Sequence, residues 1–331
     1  AYSVWAVVLA ILLTILNLQR VRTSARLNAA LALGMGVVIA LFLVAAARYI
    51  VHAPHDALGL YTRPFYNPAT WDSRAVLGGT SIAVLTYIGF DGISTLSEEA
   101  TNPRRNILLA TVLTCCVIGA LSAIQVYAAQ LVWPDFTNYP NVDTAFTSVA
   151  GRAWPPLFGI VGATLILANI GSGLGAQLGA ARLLYGMGRS NALPARFFGA
   201  VDATYGIPRQ NVLLVGALAL LGALLLPTVA GDTTAYGLGA SLLNFGALIA
   251  FMGVNAAAFV RCYRDASRNR LTGLLIPLVG AGVCAVLWWN LSIQARIFGA
   301  VWTTIGLVYG AIQTKGFKLD VMRFKIPGDP W

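Results

Sequence analysis

The sequence predicts an all-α polytopic membrane protein, and three observations carry that prediction. Apolar residues make up 58% of its 331 residues and charged residues only 10%, against roughly 25% charged in an ordinary soluble domain. Apolar stretches of about 18 residues or more, the length a helix needs to cross a bilayer, recur along the whole chain. The basic residues behind the net charge of +10 sit in the short segments between those stretches. That placement follows membrane topology, so nucleic-acid binding is not expected.

Nine spans are predicted, at about residues 2–18, 28–50, 75–97, 107–132, 155–187, 211–229, 236–260, 271–289 and 297–313. The first is a plain apolar run from Tyr2 to Leu18. The second, from Asn28 to Ile50, follows Arg20, Arg22 and Arg26. The third, from Ala75 to Ser97, is interrupted by Gly89-Phe90-Asp91-Gly92. The fourth begins after the corner Asn102-Pro103-Arg104-Arg105, where proline suits a helix start. The fifth, from Pro155 to Met187, contains the small-residue run 167–179. The last four are separated by segments holding Arg209, Asp232, Arg261, Arg264, Arg268, Arg270 and Arg296.

Loop charge alternates over the nine spans. One side holds Arg20, Arg22, Arg26, Arg104, Arg105, Arg189, Arg196, Arg209 and the Arg261–Arg270 group, with Lys315, Lys318, Arg323 and Lys325 in the tail. The other holds Arg63, Arg74, Arg152 and Arg296 beside Asp56, Asp72, Asp135, Asp143 and Asp232. The positive-inside rule then puts the basic side and the C-terminus in the cytoplasm. Trp71, Trp133, Trp154, Trp288, Trp289 and Trp302 are expected in interfacial belts. His52 and His55 share an outer loop, as solvated residues or a proton relay. Cys115, Cys116, Cys262 and Cys284 have no CxxC spacing and read as structural thiols; no metal or cofactor is expected.

The segment 87–108 is the most informative. Glycine costs roughly 1 kcal/mol in a helix interior, and an aspartate at bilayer depth roughly 2.5–3.5 kcal/mol on insertion scales. A span that accepts both is expected to break there, leaving backbone carbonyls and amides to meet a substrate. Gly89, Phe90, Asp91, Gly92 and Ile93 are the candidate binding core, with Phe90 as a wall and Asp91 as a cation ligand or proton carrier. The alternative is a packing notch in which Asp91 caps the second half-helix. On the fifth span, Asn169, Ser172 and Gln177 could line an ion or substrate path. Gly175 and Gly179 form a GxxxG pair suited to close helix packing, as do Gly306 and Gly310. Asn244 in the seventh span wants an interhelical partner or contacts substrate. Glu98 and Glu99, at the basic corner, pair with Arg182 or Arg189 as a cytoplasmic gate, or simply balance local charge.

The stretch Gly-Phe-Asp-Gly-Ile-Ser-Thr-Leu-Ser-Glu-Glu-Ala-Thr-Asn-Pro-Arg-Arg-Asn-Ile (89–107) resembles the sixth-helix break of the amino acid–polyamine–organocation permeases. Leu-Ala-Asn-Ile-Gly-Ser-Gly-Leu-Gly-Ala-Gln (167–177) and Ala-Arg-Leu-Leu-Tyr-Gly-Met-Gly-Arg (181–189) resemble that family's eighth helix. Among them the wording is most similar to putrescine-importer-like permeases. The resemblance implies two inverted five-helix repeats plus two trailing helices. Residues 1–50 would end the first repeat, 75–260 form the second, 271–313 give the trailing pair and 314–331 a cytoplasmic tail. It implies ion-coupled alternating access for amino acids or polyamines, with a substrate held by Gly89–Ile93 and more loosely by Asn169, Ser172 and Asn244. The spans would match the family's fourth to twelfth helices. The chain, which opens on Ala1, therefore reads as the middle and end of a longer protein, and alone it is expected not to transport.

The second span holds no lysine of the kind that replaces sodium in some proton-coupled relatives, so the coupling ion is H+ or Na+. A transport-inactive sensor or subunit on the same scaffold is the alternative function. A membrane-embedded enzyme is not expected: the two histidines lie together on a loop, and neither HExxH nor GxSxG occurs. The expected partners are a small-molecule substrate and the lipid bilayer; the oligomeric state stays open.

Overall fold

A computed structural model describes residues 2–19, 25–52, 61–96, 100, 102–202, 206–231, 235–264 and 270–316. Among them the regular secondary structure is all helical, with no strand. In order the helices are α1 (Tyr2–Leu18), α2 (Ala25–His52), α3 (Ser73–Ala83), α4 (Pro103–Val132), α5 (Ala145–Ala153), α6 (Leu157–Arg189), α7 (Ala195–Phe198), α8 (Arg209–Ala230), α9 (Ala235–Arg264), α10 (Arg270–Trp289) and α11 (Ile293–Gln313).

Among the described residues, seven helical segments are long and apolar enough to cross a bilayer: Ala29–His52, Ser73–Ile93, Arg105–Val132, Leu157–Arg189, Arg209–Ala230, Ala235–Arg264 and Ile293–Gln313. The shorter apolar helices Ser3–Leu18 and Gly273–Trp289 coincide with the first and eighth expected spans. The short α5 and α7 were not expected from the sequence; nine and four residues are too few for a periodic signal. Helix ends obey local chemistry. Pro103 occupies the first turn of α4. Gly231 closes α8 at φ +83°, its N–H donating to the Pro227 carbonyl at 2.8 Å.

The chain divides into two compact units. The first comprises Ala1–Val38, Gly159–Tyr236 and Ala300–Trp331. In it α1 packs along α8, and a polar knot joins α1, α6 and α8. Asn17 Nδ2 donates to Gln177 Oε1 at 2.8 Å, and Gln177 Nε2 donates to Thr14 Oγ1 at 2.8 Å. Asn17 and Gln177 are only 9% and 8% exposed, so satisfying their amides within the protein avoids a desolvation cost of roughly 1–3 kcal/mol per group.

Small residues make this packing possible, but not the ones the GxxxG pattern indicated. A Cβ at Gly175, Gly179 or Gly306 would meet nothing within 4 Å. At Gly173 it would sit 2.8 Å from Leu13 Cδ1, and at Gly216 it would sit 2.5 Å from Thr14 Oγ1. The helices close on the second pair of glycines because that is where α1 crosses.

The second unit comprises Ile39–Phe158 and Gly237–Gly299. Its core is Phe245, Leu248 and Leu291, with Leu287 and Trp288 packed against them. Trp288, expected in an interfacial belt, instead lies partly buried with its ring 5.4 Å from Phe245. The broken span belongs to this unit.

Candidate functional site

The third span begins as an ordinary helix. Asp72 caps α3, its carboxylate accepting from the Arg74 N–H at 2.9 Å. The Oγ atoms of Thr80 and Ser81 bond back to the carbonyls of Val76 and Leu77 at 2.8 Å each, an arrangement that loosens and bends a helix. After Ala83 the bonding register changes. Tyr87 N–H donates to Val84 O (2.9 Å), Ile88 N–H to Leu85 O (3.3 Å), Phe90 N–H to Tyr87 O (3.3 Å) and Gly92 N–H to Gly89 O (3.1 Å). All four are three-residue spacings. Residues Val84–Thr86 and Phe90–Leu96 are accordingly 3₁₀ turns.

Between them Gly89 stands at φ +117°, a backbone angle that a residue with a Cβ rarely adopts. The span thus leaves α-helical geometry after Ala83, six residues ahead of the expected Gly89-Phe90-Asp91-Gly92, and the positive φ falls on the first of those glycines.

Its surroundings come from three helices. Asn244 on α9, fully buried, donates its Nδ2 to the carbonyls of Ser81 (3.0 Å) and Ile82 (3.3 Å). Ser81 Oγ also lies 2.8 Å from the Leu287 carbonyl on α10. Past the break, the Phe90 ring stacks on Phe251 of α9 at 5.4 Å. On α4, Gly119 leaves room for Tyr87: a Cβ there would lie 2.5 Å from the Tyr87 hydroxyl oxygen. Asn244 and Phe251 are seven residues apart on α9, two turns or about 10 Å. One face of α9 thus meets the broken segment on both sides of Gly89.

The Asp91 carboxylate folds back on the turn, accepting from the Gly89 N–H at 3.1 Å. It is an exposed side chain, as are Gly89 and Gly92 on the same surface, while Phe90 and Ile93 are half-buried. Asp91 therefore closes a loop around the glycine. Asn244 does find an interhelical partner, and its Oδ1 accepts no hydrogen bond among the described residues.

The other expected binding and gate residues belong to the first unit or lie outside the described residues. Asn169 and Ser172 belong to the first unit, exposed on α6, and the Asn169 amide donates to Leu165 O at 2.9 Å on its own helix. Gln177 is part of the knot with Asn17 and Thr14. Arg182 and Arg189 are exposed on α6, with the Arg189 guanidinium 5.8 Å over the Tyr185 ring. Glu98 and Glu99 lie outside the described residues, as does His55. So do Arg20, Arg22, Asp56, Asp232, Arg268, Lys318, Arg323 and Lys325 of the charge pattern. His52 Nδ1 sits 2.8 Å from the Arg48 carbonyl.

Ser81, Tyr87 and Phe251 were not singled out in the sequence. Ser81 and Leu287 are 206 positions apart, and nothing local marks either as a partner.

The family model described as "Amino acid permease" matches residues 1–320. The chain is 31% identical over 336 aligned positions to the low-affinity putrescine importer PlaP of Escherichia coli K12, covering 97% of the chain and 71% of that protein. It is 34% identical to a probable low-affinity putrescine importer PlaP of Klebsiella pneumoniae, over 59% of the chain and 98% of that protein. It is 26% identical to the branched-chain amino acid permease BcaP of Lactococcus lactis, over 74% of the chain and 52% of that protein.

Proposed function

Because the chain belongs to the amino acid permease family, we propose that it is a secondary transporter moving amino acids or polyamines inward across the plasma (inner) membrane. The observation that carries this reading is the broken third span. α-Helical bonding gives way to 3₁₀ turns after Ala83, Gly89 between those turns stands at φ +117°, and the carboxylate of Asp91 is exposed at the turn. An exposed carboxylate at such a turn suits an ammonium group. Phe90, stacked on Phe251, supplies an apolar wall for a carbon chain.

Within this reading Gly89–Ile93 contact the substrate, and Asp91 holds a cationic amine or carries a coupling proton. Asn244 acts on the end of α3, fixing where the break begins. The mechanism in this proposal is ion-coupled alternating access: a glycine hinge would let a half-helix reorient without breaking a full ladder of hydrogen bonds, and the coupling ion would be H+ or Na+. The excess of arginine and lysine on one set of loops supports a cytoplasmic orientation of that side and of the C-terminus.

The reading is tested by uptake of labelled putrescine, arginine and leucine into a strain carrying the intact gene and into its deletion strain. Asp91→Asn is expected to lower uptake of the cationic substrates at least about tenfold, the loss of one charge-assisted contact of about 1.5–3 kcal/mol. Unchanged uptake in Asp91→Asn would remove that carboxylate from the mechanism. No gene-dependent uptake of any of the three would favour the non-transporting alternative.

A further inference from the structure

The C-terminal half of α2 shows one face that changes chemistry along its length. Leu41, Val44 and Ala45 are followed on the same face by Arg48, Tyr49 and His52, at spacings of three and four residues. They line an open cavity of about 830 Å³, to which Ala153 and Trp154 at the end of α5 also contribute. Leu41 to His52 spans about 16 Å at 1.5 Å per residue. That is close to the roughly 15 Å depth of one leaflet of hydrocarbon.

The polar end gathers more cation than α2 alone provides. Arg152 on α5 donates its Nε to the Tyr49 hydroxyl at 3.0 Å. Its guanidinium also lies 4.8 Å over the Trp133 ring. Among the described residues neither Arg48 nor Arg152 has a carboxylate within ion-pair distance; Arg209 with Asp202 is the pair found. Basic residues in the last turn of α2 complement its dipole, and His52 does approach the Arg48 carbonyl at 2.8 Å. That role accounts for neither the arginine brought in from α5 nor the apolar groove running away from it.

We propose that this cavity binds one anionic phospholipid. Its phosphate lies at Arg48 and His52 with Arg152 beside them, and one acyl chain lies along Leu41, Val44, Ala45 and Trp154. A guanidinium pairs with phosphate through two parallel N–H donors, and tyrosine and tryptophan rings suit the headgroup level. Two guanidiniums favour a headgroup without its own cation, so phosphatidylglycerol binds in preference to phosphatidylcholine.

The experiment is native mass spectrometry of the full-length protein, delipidated in detergent and titrated separately with phosphatidylglycerol, phosphatidylcholine and glycerol 3-phosphate. One phosphatidylglycerol is expected to remain bound, at least about tenfold more tightly than phosphatidylcholine, the scale of a single charge-assisted contact. Arg48→Ala with Arg152→Ala abolishes that preference, Arg48→Lys keeps most of it, and Arg261→Ala with Arg264→Ala leaves it unchanged. Leu41→Trp, which fills the apolar stretch with both arginines intact, also displaces the lipid, so a misfolded double alanine variant does not decide the matter. Equal binding of the two lipids, unchanged binding in both the arginine and Leu41 variants, or competition by glycerol 3-phosphate at the lipid's own concentration would overturn the proposal.

Discussion

The side-chain amide of Asn244 donates to the backbone carbonyl of Ser81, 3.0 Å away, where α3 gives way to the turn carrying Gly89. The last carbonyls of any helix lack donors from the following turn. In an apolar interior no water replaces those donors, so the bond must come from another helix. Both residues are fully buried. Asn244 thus completes the end of α3 across a separation of 163 positions.

Replacing Asn244 should therefore loosen the break. Interhelical hydrogen bonds in membranes average about 0.6 kcal/mol and reach about 1.7 kcal/mol, and Asn244→Ala is expected to destabilise within that range. Asn244→Asp should be worse, because an ionised carboxylate cannot donate to the two carbonyls. Unfolding of the detergent-solubilised variants measures both. An alanine variant as stable as the parent would mean that the end of α3 needs no partner.

The two glycines of the break should respond oppositely to a methyl group. A Cβ at either Gly89 or Gly92 would meet no atom within 4 Å, so steric contact does not separate them. Only Gly89 lies at positive φ, +117°. Gly89→Ala is expected to cost about 1–3 kcal/mol of backbone strain. Gly92→Ala is expected to be neutral or to stabilise by up to about 1 kcal/mol through lost unfolded-state freedom. The contrast is read from paired unfolding curves and from putrescine uptake. Equal effects at the two positions would mean the turn relaxes freely.

The apolar spans, and a departure from α-helix in the third, were legible because both are local: a run of apolar residues, and a Gly-Phe-Asp-Gly that such a run should not contain; the α-helix nonetheless ends earlier, at Ala83. The residues that hold the break were not legible. Asn244 showed only that it needed a partner, and the partner proved to be a backbone carbonyl, which carries no residue-type signal. Gln177 likewise stood out as polar among small residues, but Asn17 lies 160 positions away on α1. The GxxxG pair Gly175 and Gly179 meets no packing neighbour among the described residues, whereas α1 comes close at Gly173 and Gly216, which no spacing singled out. Trp288 reads as interfacial from its position near a helix end, and it packs inward because Phe245 offers a ring face.

Outside the spans, the Asp135 loop should be sensitive to acid. The Thr137 hydroxyl donates to the Asp135 carboxylate at 2.6 Å, with further donation from the Thr137 N–H (3.1 Å) and the Asn138 amide (2.6 Å). These bonds, the Thr137 side chain foremost, hold its pKa below the ordinary carboxylate value. A depressed folded-state pKa gives stabilisation that is present above the unfolded value and lost as pH falls through the folded one. Thr137→Ala is expected to raise the Asp135 pKa towards the ordinary range and so move the loss to higher pH. Infrared titration of the carboxyl band, with Asp135→Asn identifying the signal, tests this. An unmoved titration in Thr137→Ala would assign the depression to the other donors.

The crossing of α1 and α8 offers a test of packing that needs no transport assay. A methyl at position 216 would lie 2.5 Å from Thr14 Oγ1, 2.8 Å from Thr14 Cγ2 and 3.1 Å from Gln177 Nε2. Overpacking of this kind costs about 1–3 kcal/mol, and here it also strains the bond from Gln177 to Thr14. Gly216→Ala is expected to destabilise in that range. Thr14→Ala alone should be destabilising too, since it removes the acceptor for the buried Gln177 amide. Combined, the two changes should cost less than their sum, because the added methyl occupies space the threonine vacates. Neighbours that share a contact couple by about 0.5–3 kcal/mol in a double-mutant cycle. Additive costs in that cycle would show that α1 and α8 shift apart to admit the methyl and that the knot does not fix their crossing.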